Sequence, residues 1–326
     1  MRAILQTTSG SAETLNIGET PDPVPAPGEL LVSVKAFGLN RADIQQREGK
    51  YPAPSGVTPI LGLELSGVVI KVGEQVKRFK AGDEVFGLVS GGAYAELVCL
   101  DERMAIKKPK EMSHETAAAI PEMMMTAWLN LMDLGNIRDH GSVLIHAGAS
   151  GVGSAAIQLA KHYGCKVFTT VGSAEKADFC RSLGADVVIN YKTEPDFKAV
   201  VKQYTSGKGV DVILDCIGAS YLEGNISSCR QDGKIIMIGL LGGSEGKLNL
   251  GHLLVKRIQL IGSTLRSQPI EVRSRLTDSL KTHVLPEITS GRIKVHIDKV
   301  FSFDQVKEAH LYLEENKNKG KIVVKM

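Results

Sequence analysis

Three glycines carry the clearest chemistry in this chain. The run Val143-Leu144-Ile145-His146-Ala147-Gly148-Ala149-Ser150-Gly151-Val152-Gly153-Ser154 joins an apolar segment to a helix-forming one through the spacing G-x-x-G-x-G. A strand, a glycine-rich turn and a helix in that order make a phosphate cradle. The first N–H groups of the helix have no intrahelical acceptor, and the helix dipole adds partial positive charge there. Gly148 and Gly151 are expected to allow the tight turn. Gly151 and Val152 should open the helix with their N–H groups toward a pyrophosphate, which Ser150 should also approach. Gly153 should let the helix lie close to the sheet. The spacing alone is a weak signal; its place between a predicted strand and a predicted helix makes it a dinucleotide site.

The next strand selects the dinucleotide. A site for NAD carries a carboxylate at the tip of that strand to bind the ribose 2′-hydroxyl. Here the strand ends Thr169-Thr170-Val171-Gly172-Ser173, with Lys176 on the following helix and Tyr191 directly after the third strand. A missing acid and a nearby cation suit a 2′-phosphate, so the expected cofactor is NADPH, held at that corner by Gly172, Ser173, Lys176 and Tyr191. Ile217 follows the fourth apolar strand and Gly239-Leu240 the fifth, at carboxyl ends that face a cofactor in such sheets. Ser263 and Leu265 close the sixth. Arg266 comes next, and could either steer an anionic group or form a surface ion pair.

The surrounding elements fit that site. Segments 142–147, 166–171, 186–190, 210–215, 234–239 and 258–263 are mostly unbroken apolar runs, as in strands buried on both faces. Helical segments 151–163, 174–182 and 196–205 lie between them, the first two followed by Gly164 and Gly184 as helix stops. The alternation predicts a doubly wound parallel sheet. The first third reads instead as short strands, at 1–6, 30–36, 68–72, 84–89 and 93–100, separated by turn residues, which suggests a β-barrel-like domain. Ser113 should cap a helix that Pro121 interrupts, and 122–131 should be a second helix. A long helix is expected over 270–290, then a strand at 293–301, a helix at 304–316 and a last strand at 321–325.

Composition narrows the class. The chain has 326 residues, 43% hydrophobic and 23% charged, with a formal net charge of +3. That length suggests two domains. The near-balanced charge argues against nucleic acid as the main partner, and the clusters Lys107-Lys108-Lys110 and Lys317-Lys319-Lys321 read as solvated surface. The five cysteines form no CxxC pair, which suits free thiols in a reducing compartment. No run of 18 or more apolar residues occurs, and the first residues look like a strand rather than a signal segment, so a cytoplasmic protein away from membranes is expected.

The motifs also resemble a known family. Asn40-Arg41-Ala42-Asp43 followed by Gly49-Lys50-Tyr51, Leu61-Gly62-Leu63-Glu64-Leu65-Ser66-Gly67, Ala118-Ala119-Ile120-Pro121, the stretch 146–161, Asp215-Cys216-Ile217-Gly218 and the tail Asn316-Lys317-Asn318-Lys319-Gly320-Lys321 are similar to zinc-independent quinone oxidoreductases of the medium-chain dehydrogenase/reductase superfamily. The likeness is nearest to the tumour-suppressor-inducible, zeta-crystallin-like branch. It implies an α/β protein with a GroES-like β-rich catalytic domain (1–125 and 267–326) and a Rossmann NADP-binding domain (126–266). It implies NADPH in the interdomain cleft and a homodimer, or a dimer of dimers, joined through edge strands of the cofactor domains. It places Asn40 and Asp43 by the nicotinamide, Tyr51 at the quinone pocket as the one candidate proton donor or substrate orienter, and Asn318 near the cofactor.

Zinc-dependent relatives carry a Cys where Asn40 stands and Gly-His-Glu where Gly62-Leu63-Glu64 stand, and the lobe of four closely spaced cysteines is missing. Leu63 cannot ligate a metal, and the eight histidines form no HExxH-type pair, so no metal site is expected. His146 reads as a core histidine. Without a metal to polarise it, the acceptor must already be electrophilic. The expected activity is hydride, or single-electron, transfer from NADPH to a small-molecule quinone. Two other readings stay open: an enoyl or alkenal reductase on the same fold, and an NADPH-binding crystallin or RNA-binding protein. Met123-Met124-Met125 departs from the related pattern, either lining an adaptable pocket or filling the core.

Overall fold

The computed structural model describes residues 1–137 and 140–326. The chain divides into two compact units, Met1–Met125 with Arg266–Met326, and Thr126–Leu265. The second is built on six parallel strands: Ser142–Ile145, Lys166–Val171, Val187–Asn190, Val210–Asp215, Cys229–Met237 and Gln259–Gly262. Numbered one to six along the chain, they lie in the order 3-2-1-4-5-6. That order reverses beside the first strand, where a ligand crevice opens at the carboxyl ends. Leu144, Phe168, Ile189, Ile213 and Ile235 are wholly buried in this sheet, which is why the strands carry unbroken apolar runs. Gly164 and Gly184 follow their helices with left-handed φ of 70° and 101°.

The first unit opens with an antiparallel hairpin, Arg2–Gln6 with Leu15–Glu19. Its main sheet has seven strands. The path runs Ile297–Ser302, Lys321–Lys325, Glu29–Leu39, Glu64–Val72, Glu84–Leu88 and Ala105–Lys107, and Leu97–Asp101 branches from Glu29–Leu39. Glu29–Leu39 is therefore the hub, bonded to three strands. The last two strands in sequence pair in parallel, joined by the helix Val306–Glu314. Ser113 caps its helix, its Oγ accepting from the Thr116 N–H at 3.1 Å. Met123, Met124 and Met125 are at most 1% exposed and fill core.

Several expected elements shift. The 270–290 helix breaks into Ile270–Ser279, a wide π-type turn over Leu280–Val284, and Leu285–Thr289. Pro286 stands in the first turn of the last piece. It lacks an N–H and its ring crowds the carbonyl four residues back, so the helix widens before it. The 93–100 strand shortens to Leu97–Asp101 because residues 93–95 form single bonds across the sheet edge, such as Ile4 N–H to Tyr94 O at 2.8 Å. The 293–301 strand starts only at Ile297. The helix Arg41–Arg47 has no visible stripe in sequence because it buries Asp43, Gln46 and Arg47 beside Ile44.

Close backbone approach governs the first unit's centre. A Cβ on Gly67 would lie 2.2 Å from the Ser33 carbonyl oxygen on the neighbouring strand. Gly67→Ala should therefore cost about 1–3 kcal/mol, read as a lower midpoint in thermal unfolding; an unchanged midpoint would contradict the packing described.

Candidate functional site

The glycine turn forms as a cradle, with its parts distributed differently from the expectation. The left-handed residue is Ala147, with φ 54°, rather than a glycine. Gly148 is needed for space: a Cβ there would lie 2.0 Å from Thr169 Oγ1. Gly153 spares the turn itself, since its Cβ would sit 2.3 Å from the Ala147 carbonyl oxygen. Ser150 caps the helix Gly151–His162, its Oγ accepting from the Gly153 N–H at 3.0 Å. The N–H groups of Gly151 and Val152 head that helix and have no intrahelical acceptor, as an anion site requires.

A buried network supports the cradle from below. Asn225 donates through Nδ2 to Asp215 Oδ2 at 3.0 Å, so its Oδ1 must accept from His146 Nε2 at 2.7 Å. His146 Nδ1 is then free to accept from the Thr170 hydroxyl at 3.0 Å. The ring is neutral with its proton on Nε2, and burial depresses its pKa to about 4. Asp215 Oδ1 accepts from the Ile217 N–H at 2.7 Å, fixing the loop after the fourth strand. That loop holds the next one: the Gly242 N–H donates to the Ile217 carbonyl at 2.7 Å, and Gly239 packs on Cys216. Leu240 is exposed and Leu265 buried. The Ser263 hydroxyl is buried without a partner.

At the second strand's tip, Tyr191 lies over Gly172; a Cβ on Gly172 would fall 2.3 Å from the Tyr191 hydroxyl oxygen. Ser173 Oγ accepts from the Lys176 N–H at 3.2 Å and so caps the helix Ala174–Ser182. The structure thus brings Gly172, Ser173, Lys176 and Tyr191 to one corner.

The first unit gathers a second set of groups around Asn40 and Asp43. Lys321 and Glu64, 3% and 0% exposed, form a buried ion pair through Lys321 Nζ and Glu64 Oε1. Asn40 bridges them, donating from Nδ2 to Glu64 Oε1 at 3.0 Å and accepting at Oδ1 from Lys321 Nζ at 2.7 Å. Glu64 Oε2 accepts from the Glu122 N–H at 2.8 Å. Beside this, a polarised chain runs to Asp43. Arg47 is paired with Glu314 and donates from Nη1 to His310 Nδ1 at 3.3 Å. His310 must then carry its proton on Nε2 and donate to the Tyr94 oxygen at 3.1 Å, while the Tyr94 hydroxyl donates to Asp43 Oδ2 at 3.2 Å. The Asn40 N–H also reaches Asp43 Oδ2, at 2.8 Å. Asp43 Oδ1 is buried and unpartnered. Burial raises the Asp43 pKa to about 6 and, with Arg47 alongside, lowers that of His310 to about 3.

Tyr51 is not hydrogen-bonded into that cluster through its hydroxyl. It is half-buried, and the Arg266 guanidinium lies 5.6 Å from its ring centroid. Burial raises its hydroxyl pKa. Arg266 is only 6% exposed, so the surface ion pair considered for it does not form. Asn318 is buried, and its Nδ2 turns back to the Gly320 carbonyl at 2.8 Å.

Sequence reasoning missed Glu64, Lys321, Tyr94, His310, Asp215 and Asn225 as parts of these networks. Two left a legible signal: an acid inside Leu61-Gly62-Leu63-Glu64-Leu65, and a lysine opening the apolar strand Lys321-Ile322-Val323-Val324. Charged residues in buried runs are kept only when paired. Both Glu64 oxygens are already engaged. Among the described residues, no three His, Cys, Asp or Glu side chains converge as a metal site.

Known proteins place this arrangement. Residues 151–282 match the zinc-binding dehydrogenase family and residues 26–110 the alcohol dehydrogenase GroES-like domain. The synaptic vesicle membrane protein VAT-1 homolog of Rattus norvegicus is 32% identical over 342 aligned residues, covering 99% of this chain and 84% of that protein. The chain belongs to the medium-chain dehydrogenase/reductase superfamily. It has that superfamily's GroES-like domain and Rossmann-type parallel sheet. Solved structures similar over the full chain include an NAD-dependent alcohol dehydrogenase, 35% identical with a TM-score of 0.89 over all of both chains. Escherichia coli quinone oxidoreductase complexed with NADPH is 32% identical, TM-score 0.90, again over all of both chains. CurK enoyl reductase is 29% identical, TM-score 0.87, over 99% of its chain. The zinc-binding name belongs to the family. Among the described residues, no helix is long and apolar enough to cross a membrane.

Two outcomes follow from the buried groups. Lys321→Met leaves the Glu64 charge uncompensated and should cost about 3–5 kcal/mol, and adding Glu64→Gln should recover part of that loss; both are read from denaturant unfolding. The second concerns pH. Below pH 6.5 the unfolded chain protonates two histidines that the fold keeps neutral, His146 down to about 4 and His310 down to about 3. Each removes about 1.4 kcal/mol of stability per pH unit across its window. Asp43 acts oppositely between 3.8 and about 6, where the folded state holds the extra proton, but it offsets only one of the two. The unfolding midpoint should fall from pH 7 to pH 4, less steeply in His146→Gln and more steeply in Asp43→Asn. A midpoint independent of pH would contradict both assignments.

Proposed function

We propose that the chain is a zinc-independent reductase of quinones, using NADPH. It is an NADPH-dependent oxidoreductase by family and by cofactor cradle. NADPH fits the residues present: the open N–H groups of Gly151 and Val152 suit its pyrophosphate, and Lys176 and Tyr191 beside Gly172 and Ser173 suit its 2′-phosphate. Bound NADPH supplies the hydride. Gly148, Ser150 and Gly153 shape its turn, while Ile217, Gly239, Leu240, Ser263 and Leu265 follow the strands whose carboxyl ends face it.

The observation that carries the quinone reading is the state of the family's metal position. Glu64 is consumed by Lys321, Asn40 and the Glu122 N–H, with Leu63 beside it in sequence. This set offers no Lewis acid to an alcohol or simple carbonyl, so the acceptor must be electrophilic by itself, as a quinone is. In this reading Asn40, held on both sides of its amide, and Asp43 orient the acceptor ring. Tyr51 borders the acceptor and is the proton donor. Hydride addition to one carbonyl oxygen or ring carbon leaves an anionic product, and a donated proton from the Tyr51 hydroxyl, refilled from water, completes the hydroquinone. Similarity to E. coli quinone oxidoreductase supports this acceptor class. The CurK enoyl reductase likeness favours a second reading, reduction of a conjugated enone.

NADPH oxidation with 1,2-naphthoquinone, followed with and without a chelator, tests the reading. Turnover should persist with chelator, should prefer NADPH over NADH, and in Lys176→Ala should show the KM for NADPH raised about tenfold, one lost charge-assisted contact. Loss of activity with chelator would remove the zinc-free mechanism. NADPH binding with turnover of enones alone would favour the second reading.

A further inference from the structure

Two arginines are buried in the first unit, and only one stands in an ion pair. Arg47, 1% exposed, is paired with Glu314. Arg266, 6% exposed, has no carboxylate within ion-pair distance among the described residues. Its Nε donates to the Ser90 carbonyl at 2.7 Å and its Nη1 to Gln46 Oε1 at 2.7 Å. Gln46 is itself fixed, its Nε2 donating to the Pro59 carbonyl at 3.0 Å, so its oxygen faces the guanidinium. The third nitrogen, Nη2, is buried and has no partner at all. The Tyr51 ring lies beside it, 5.6 Å away at its centroid.

This buried cation is hydrogen-bonded only to neutral oxygens, with Asp43 and Glu122 acting on its charge from beyond ion-pair reach, and folding alone gives no use to its buried free N–H edge. Its plane is anchored at two nitrogens, and the free N–H edge is the part suited to an anionic oxygen. We propose that Arg266, with Gln46 and Tyr51, is a recognition site for an acidic substituent, a carboxylate or sulfonate, carried by an aromatic acceptor. The acceptor's ring stacks on Tyr51, and a turn of the Tyr51 side chain opens Nη2 to the acid. Arg266 is then a specificity-determining residue. That the anion belongs to an acceptor rests on the reductase reading; that the site binds an aromatic acid does not.

Calorimetric titration of the NADP⁺-saturated protein with anthraquinone-2-sulfonate and with the uncharged anthraquinone-2-sulfonamide separates the two. The wild type should bind the sulfonate about tenfold more tightly, the worth of one charge-assisted bond. Arg266→Met should abolish that preference without weakening NADPH binding. Arg266→Lys, which keeps the charge and loses the fork, should retain part of the preference and serves if the methionine variant does not fold. Equal affinity of the wild type for the two anthraquinones would overturn the proposal. So would a parallel loss of NADPH affinity in Arg266→Met, which would assign the arginine to the cofactor. A sulfonate preference without turnover of any quinone would sink the reductase reading alone.

Discussion

A lysine and a glutamate shut away from water at the centre of a sheet set the terms for the first unit. Two charges so deeply buried hold only if each is matched and every remaining lone pair is used. The surroundings meet that demand: Asn40 satisfies both partners at once, and the Glu122 N–H takes the remaining carboxylate oxygen. Gly38 exists on the same account, because a Cβ there would fall 2.2 Å from Glu64 Oε1. Asn40 cannot rotate without breaking two bonds to charged groups, so the start of its helix, and Asp43 with it, is fixed in place.

The same rule shapes the second unit around one carboxylate and its neutral partners. His146, Asn225, Thr170 and Asp215 form a chain in which each donor faces one acceptor, and the direction of every proton follows from Asn225. The network ties the carboxyl ends of the first, second and fourth strands together under the glycine turn. A cofactor cradle needs such rigidity, since its N–H groups must already point inward when the phosphates arrive. The two histidines differ in surroundings but share a consequence: both are held neutral, and both make the fold sensitive to acid.

What was legible in the sequence follows from how each signal is generated. The parallel sheet showed itself because strands buried on both faces must be apolar throughout, and the cradle because glycine is the only residue that fits Gly148 and Gly153. The helix Arg41–Arg47 was hidden, because it buries polar residues and so lacks an apolar stripe. Pro286 marked a break that the 270–290 periodicity concealed. The polar clusters were hidden for another reason: Lys321 and Glu64 stand 257 residues apart, and no local pattern joins them. Arg266 was read as either a steering group or a surface pair, and only its burial decides between the two.

The place of the strand Lys321–Lys325 bears on how the chain assembles. It lies between Ile297–Ser302 and the hub strand Glu29–Leu39, and its first residue bonds to Leu39 across 282 positions. The parallel sheet, by contrast, is drawn from one continuous stretch, Thr126–Leu265. As the polypeptide emerges during synthesis, that stretch is complete while the hub strand still lacks a neighbour, and Glu64 still waits for its cation. A segment that leaves the ribosome early must therefore stay open until a much later one arrives, and the second unit is made as a finished insertion between them.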